Sequence, residues 1–263
     1  MSSQFGNSIL IVLFNYASCA HNKEFFIELY EPFFKQIIFY SDLPLDGKYL
    51  EGVNYLSINR GFNGHKIFYH FGEKYSSLIE ESDGLFYTMD DNIINLRILN
   101  QFDSNKIIFS HHQSFEKIDQ KRGWWWDTID NGRWGKFAVG ELQKDERYAV
   151  HEITDYSGAF SDYFYLPKRY LTKETFELFE IFSKHDVFLE IAVPTIIYHI
   201  EKSQTAYQQP ELTVLWGEDR DRLLRKELMY EEFSKTALCV HPIKLNTCPD
   251  SKDWLIKMFY ERL

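Results

Sequence analysis

The chain has 263 residues and a mass of 31.5 kDa, with 29 Lys+Arg against 39 Asp+Glu, a formal net charge of −10 and 44% hydrophobic residues. Its 23 Phe, 17 Tyr and 6 Trp supply far more buriable surface than a solvated polymer carries, which excludes disorder over most of the chain. The acidic balance does not suit generic nucleic-acid binding, which depends on many Lys and Arg neutralising phosphates.

Ser8-Ile-Leu-Ile-Val-Leu-Phe14 is a continuous apolar run rich in β-branched residues, the pattern of a strand buried on both faces in a parallel sheet. Phe25, Phe26, Leu29 and Phe33 recur at near-helical spacing over 22–34, and Lys35–Tyr40 reads as a second buried strand, closed by Ser41-Asp42-Leu-Pro44. Strand, helix and strand in so short a stretch predict a βαβ unit, and such units place ligands at the carboxyl ends of their strands. After a polar, Gly-containing stretch over 46–64, His65–Glu81 is predicted as a helix with Ile67, Phe71, Tyr75 and Leu78 on one face. Asp83–Met89 is a predicted strand that runs into Asp90-Asp91-Asn92, and Lys106–Ser110 is another. Gly123–Gly135 holds four of the six tryptophans.

Beyond an acidic, polar bridge, Ser161–Pro167 reads as a strand and Lys173–Lys184 as a helix that buries Phe176, Leu178, Phe179 and Phe182. Val187–Glu190 is a strand-like run leading into a helix over Val193–Lys202, with Pro194 in its first turn. Leu212–Trp216 is a further strand, Asp219–Phe233 an exposed charged helix, and Ala237–Lys244 a closing segment. No internal repeat or low-complexity linker divides the chain, so one mixed α/β domain is expected.

The run Ile9–Phe14 falls far short of the roughly twenty residues of a membrane-spanning helix, so no span is expected. The N-terminus lacks the basic start and apolar stretch of a signal peptide, and Cys19, Cys239 and Cys248 lack metal-site spacing. Reduced thiols in a cytoplasmic compartment are the expectation.

Consecutive acidic residues just past a buried strand are what a divalent cation bound to a diphosphate requires. Carboxylate oxygens neutralise the metal, and phosphate oxygens complete its shell. Asp90, Asp91 and Asn92 meet that description, although Asp and Asn also favour plain turns. Tyr87-Thr-Met-Asp-Asp-Asn-Ile93 resembles the DxD region of GT-A glycosyltransferases, which use a nucleotide-sugar donor and usually Mn²⁺ or Mg²⁺. The likeness covers most of the chain. Segments Gly84–Leu96 and Phe188–Thr195 are also similar to transferases of algae and their large viruses. The resemblance implies a GT-A-like (Rossmann-like) α/β fold with a mixed, mostly parallel central sheet flanked by helices. It implies one catalytic domain over 1–263, in which about 1–110 bind the nucleotide sugar and about 111–263 bind the acceptor and end in a metal and diphosphate segment.

Under this resemblance Asn15 and Tyr16, in the loop after the first strand, line the nucleoside pocket, and Asp42 touches uracil or ribose. Asp90 faces the ribose or the metal and Asp91 braces the loop, while Asn92 stands where a metal-binding Asp is usual. An amide oxygen ligates a hard cation without adding charge, so the metal role is open between Asn92 and Asp91. Val240-His241-Pro-Ile-Lys244 resembles the late His that ligates the metal and the Lys that meets the diphosphate. Lys66 matches basic residues that reach the diphosphate from the helix before the acidic strand.

Transfer with inversion needs a carboxylate to take the proton of the attacking acceptor hydroxyl. Glu190, after an apolar run and before a helix, resembles the place where inverting members carry this base; Asp162 is the second candidate and Asp186 the third. Trp124, Trp125, Trp126 and Trp134, with Asp127 beside them, fall where acceptor sites lie in this class. Aromatic faces stack on sugar C–H faces, although tryptophans also fill cores. His111-His112 lacks further spaced ligands. The absence of phosphate-loop, dinucleotide and nucleophile-elbow signatures weighs against P-loop ATPases, Rossmann dehydrogenases and serine hydrolases.

The expectation is a metal-dependent hexosyl- or pentosyltransferase that moves a sugar from a nucleotide sugar, foremost a UDP-sugar, to a hydroxyl of a glycan, such as one on a glycoprotein. Inversion is preferred. The rivals are a retaining enzyme of the same fold, a nucleotidyltransferase, and a catalytically degenerate glycan-binding module. The loop Phe14–Ala20, which has neither glycine nor basic residue, disfavours the second, and Asn92 favours the third.

Overall fold

The first apolar run forms β1 (Ile9–Phe14), every residue of which is buried. The computed structural model that contains it describes residues 4–44, 46–59, 61–110, 113–115, 132–214, 237–243, 245, 252–253 and 255–256. Along the chain follow α1 (Lys23–Tyr30), β2 (Gln36–Ser41), β3 (Val53–Tyr55), α2 (Lys66–Lys74), α3 (Ser76–Glu80), β4 (Gly84–Met89), β5 (Ile93–Ile94), α4 (Leu96–Leu99), β6 (Ile107–Ile108) and β7 (Gln113–Phe115). Then come α5 (Ala138–Leu142), α6 (Glu146–Ala149), β8 (Tyr156–Gly158), β9 (Tyr163–Pro167), α7 (Lys173–Lys184), α8 (Leu189–Ile200), β10 (Tyr207–Gln208), β11 (Glu211–Val214) and β12 (Ala237–His241).

Alternation along β1 divides its side chains between two cores. Ile9, Ile11 and Leu13 join the layer of α2, α7 and α8, whereas Leu10, Val12 and Phe14 join the layer of α1, β5 and β12. Each such apolar side chain contributes roughly 1.5–3 kcal/mol when fully buried, which makes a strand apolar on both faces the natural centre of a sheet.

That sheet has seven strands in the order β3-β2-β1-β4-β9-β6-β10. Strands β1, β2, β3 and β4 run parallel, as do β6 and β10, while β9 is antiparallel to both its neighbours. A mixed α/β architecture with a mostly parallel sheet flanked by helices is therefore present. A second sheet pairs β11-β12-β5, and β7 with β8 form a two-stranded ribbon. The chain places β2 and β3 on one side of β1 and β4 on the other, so the strand order reverses at the carboxyl ends of β1 and β4, the position where open α/β sheets bind ligands.

Helix α7 spans the predicted residues. Its Thr172 cap accepts a hydrogen bond from the Thr175 amide at 3.2 Å, and its Phe176, Leu178, Phe179 and Phe182 are buried. The helix predicted over His65–Glu81 is instead two helices, α2 and α3, broken at Tyr75, whose hydroxyl bonds to Asn54 of β3. Val187–Glu190 is not a strand. Helix α8 already begins at Leu189 and holds Pro194 in its interior. The amides at its start are satisfied from remote segments, Phe188 N donating to Trp134 O and Leu189 N to Phe62 O, each at 2.8 Å. Because Pro194 has no N–H, the Glu190 carbonyl lacks its intrahelical donor and accepts the Ala159 amide at 3.1 Å. The charged segment 219–233 lies outside the described residues. Among the described residues no helix is long and apolar enough to cross a membrane.

Candidate metal centre

Strand β4 delivers the acidic triplet to the carboxyl edge of the sheet, and backbone bonds fix how it turns. The Asp90 amide donates to Leu13 O at 2.9 Å, extending the pairing with β1 by one residue. The Asn92 amide then folds back to Met89 O at 3.2 Å, and Thr88 Oγ1 donates to Asn92 O at 3.0 Å. From the end of β1, Asn15 meets the turn twice: its amide donates to Asp90 Oδ1 at 3.0 Å and its side-chain Nδ2 to Asp91 Oδ1 at 3.3 Å. Asp90, Asp91 and Asn92 are all buried, a costly location for carboxylates unless they are bonded or bind a cation.

Two further segments converge on Asp91. Because β9 runs antiparallel, its entry lies beside the exit of β4, and Asp162 O accepts both the Met89 amide at 3.1 Å and Asn92 Nδ2 at 3.3 Å. Strand β12 pairs Val240 with Ile93 and ends at His241, while Ile243 N donates to Asp91 O at 2.7 Å. The imidazole thus sits between two carboxylates, Nδ1 lying 3.4 Å from Asp91 Oδ1 and Nε2 3.3 Å from Asp162 Oδ2. The Phe160 ring packs edge-on against it at 5.0 Å, and the Phe160 carbonyl is held by Ser110 Oγ at the end of β6.

Asp91, Asp162 and His241 each offer a ligand atom within 4.8 Å of the others. Two carboxylate oxygens and one imidazole nitrogen form a donor set that suits Mn²⁺, with Mg²⁺ served chiefly by the oxygens. The concentration of negative charge is felt beneath the site. Burial pushes the Tyr87 phenol well up, and Asp162, Asp91 and Asp90 push it the same way. Burial also raises the Cys239 thiol, against an opposing hydrogen bond with Asn92, so this cysteine packs as a small apolar side chain.

Of the residues singled out in the sequence, Asn15, Asp90, Asp91, Asn92, Asp162 and His241 meet at this point. The group with His241 runs through Asp91, whereas Asp90 bonds the β1 loop and Asn92 gives its amide nitrogen to Asp162 O. Asp162, expected as a base, stands with the potential ligands. Tyr16 is exposed beside Asn15. Asp42 Oδ1 accepts the amides of Leu43 at 2.9 Å and Ile58 at 3.1 Å, and Lys66 Nζ donates to Ser57 O at 3.3 Å. Asp186 accepts from Asn63 Nδ2 at 3.1 Å. Trp134, expected at the acceptor, is a buried residue of the core, packed edge-on against Phe62, with the Arg133 guanidinium over its ring. Glu190 is half-buried in the first turn of α8.

His111, His112, Trp124, Trp125, Trp126, Asp127 and Lys244 lie outside the described residues. Sequence reasoning passed over Thr88, Ser110 and Phe160, whose parts depend on neighbours distant in the chain and leave no local pattern. Comparison of the sequence with models of known protein families and with curated proteins gave no match.

Proposed function

We propose that the chain is a metal-dependent glycosyltransferase of the GT-A class, moving a sugar from a nucleotide sugar, foremost a UDP-sugar, to a hydroxyl of a glycan. The observation that carries this reading is the Asp91, Asp162 and His241 group, set where the strand order reverses at the carboxyl edge of a mostly parallel sheet. Residues of this kind hold Mn²⁺ or Mg²⁺, which when bound offsets the charge of a diphosphate leaving group. Asn15 orients Asp91 from the loop that the resemblance assigns to the nucleoside, beside Tyr16. With Asp162 among the candidate ligands, Glu190 stands first and Asp186, whose carboxylate accepts Asn63 Nδ2, second as the carboxylate that would accept the proton of the acceptor hydroxyl in an inverting transfer. The helix of Glu190 is bound through Ala159 N to the short segment that leads to Asp162.

The test is a panel of nucleotide sugars offered with Mn²⁺ and glycan acceptors, with nucleoside diphosphate release measured before and after EDTA. Release that stops with chelation and returns with Mn²⁺ is expected. Pyrophosphate release from a nucleoside triphosphate and a sugar phosphate would identify a nucleotidyltransferase instead. No release from any donor, with glycan binding retained, would identify a binding module.

A further inference from the structure

Gly61 lies in a tight loop between β3 and α2, beside the candidate metal centre. Its φ is +82°, a region that side chains rarely tolerate, and its neighbourhood is rigidly tied. Gly61 N donates to Ile58 O at 3.1 Å, Gly64 N donates to Gly61 O at 3.0 Å, and the next residue, Phe62, accepts the Leu189 amide. A Cβ at Gly61 would stand 2.3 Å from Asn15 Oδ1, nearer than real contacts permit, while the next approach, to Met89 Cε, is an ordinary 3.6 Å. With the loop backbone pinned on both sides, the group that gives way is the tip of the Asn15 side chain. That carboxamide holds Asp91 Oδ1 at 3.3 Å, the same oxygen that faces His241 Nδ1 at 3.4 Å.

We infer that Gly61 is a positioning residue for the metal centre: its missing side chain leaves the space in which the Asn15 carboxamide orients the Asp91 carboxylate. The inference rests on the metal-binding reading of Asp91, Asp162 and His241. Loop conformation alone also calls for glycine at this φ, and the two causes separate when Asn15 is removed. Strain acts whatever stands at residue 15, whereas the collision needs the carboxamide.

The experiment titrates Mn²⁺ into the wild type, Gly61→Ala, Asn15→Ala and the double variant, following free Mn²⁺ by electron paramagnetic resonance, with thermal melts to confirm folding. Each single variant is expected to bind about tenfold more weakly, the usual scale for losing a group that orients a ligand, and the double variant no more weakly than Asn15→Ala. Wild-type affinity in Gly61→Ala, or losses that simply add in the double variant, would overturn the inference while leaving the metal site standing. A wild-type protein that binds no Mn²⁺ would remove the metal reading and the inference together. Should Gly61→Ala fail to fold, the double variant decides. Relief of the collision predicts that it folds and binds as Asn15→Ala does, and a double variant that also fails to fold overturns the inference.

Discussion

At the carboxyl end of β4, Asp91 turns its carboxylate toward His241, while its neighbour Asn92 gives its amide to the Asp162 carbonyl. Substitution of the two should therefore separate binding from folding. Asp91→Ala is expected to weaken Mn²⁺ by at least the 10–100-fold typical of losing even an outer partner, with a near-native melt. Asn92→Ala should retain more affinity but lose about 1–3 kcal/mol of stability, because it strips hydrogen bonds from a buried turn. Calorimetric titration and denaturant unfolding of both variants check this, and the reverse pattern would make Asn92 the ligand. The triplet was legible in the sequence because two carboxylates follow an apolar strand. The division of labour within it was not, since it depends on the single extra bond from Asp90 N to Leu13 O that sets the turn. Asp162 was legible only as a candidate base; its place beside Asp91 and His241 depends on the antiparallel entry of β9, which leaves no local signature.

Between elements, one side chain ties two helix ends. Asp145 caps α6 by accepting the Arg147 amide at 2.9 Å, and its other oxygen meets His185 Nε2 at 2.8 Å and Lys184 Nζ at 3.4 Å at the end of α7. The His185 bond, then the Arg147 amide and Lys184, hold this carboxyl well below the usual carboxylate range. Asp145→Ala should cost about 1–2 kcal/mol in denaturant unfolding, as loss of a cap does, and Asp145→Asn markedly less, because an amide oxygen still caps. Equal losses in the two would assign the effect to charge rather than capping. Elements with strong periodicity, β1 and α7, were legible almost to the residue. Val187–Glu190 was not, because a short apolar run reads alike as strand or buried helix, and the partners of its amides, Phe62 and Trp134, are remote.

For the molecule as a whole, the buried His65 links stability to pH. Burial lowers its pKa to about 3, Lys66 acting the same way and the Phe182 backbone opposing. The unfolded chain takes up this proton near 6.5 while the folded chain stays neutral down to about 3, so between those values the unfolded state binds more protons. Stability contributed by the neutral ring is complete above about pH 6.5 and falls by up to about 1.4 kcal/mol per pH unit as acid is added through that window. Urea midpoints measured between pH 7 and pH 4 should drop less steeply in His65→Leu than in the wild type, and parallel curves would contradict the linkage. At this scale the parallel pairing of β1 with β2 followed from the early βαβ pattern, and a mixed, mostly parallel sheet from the resemblance. The antiparallel β9 and the separate sheet of β5, β11 and β12 did not, because strand partners far apart in sequence leave no periodic trace. Pro194 has a consequence at the same scale. By withholding a proton from Glu190 O it leaves that oxygen to Ala159, so α8 and the peptide before Asp162 are yoked. In the proposed reaction, a tilt of α8 that carried the Glu190 carboxylate would pull on the segment leading to Asp162, one of the three members of the cation's seat.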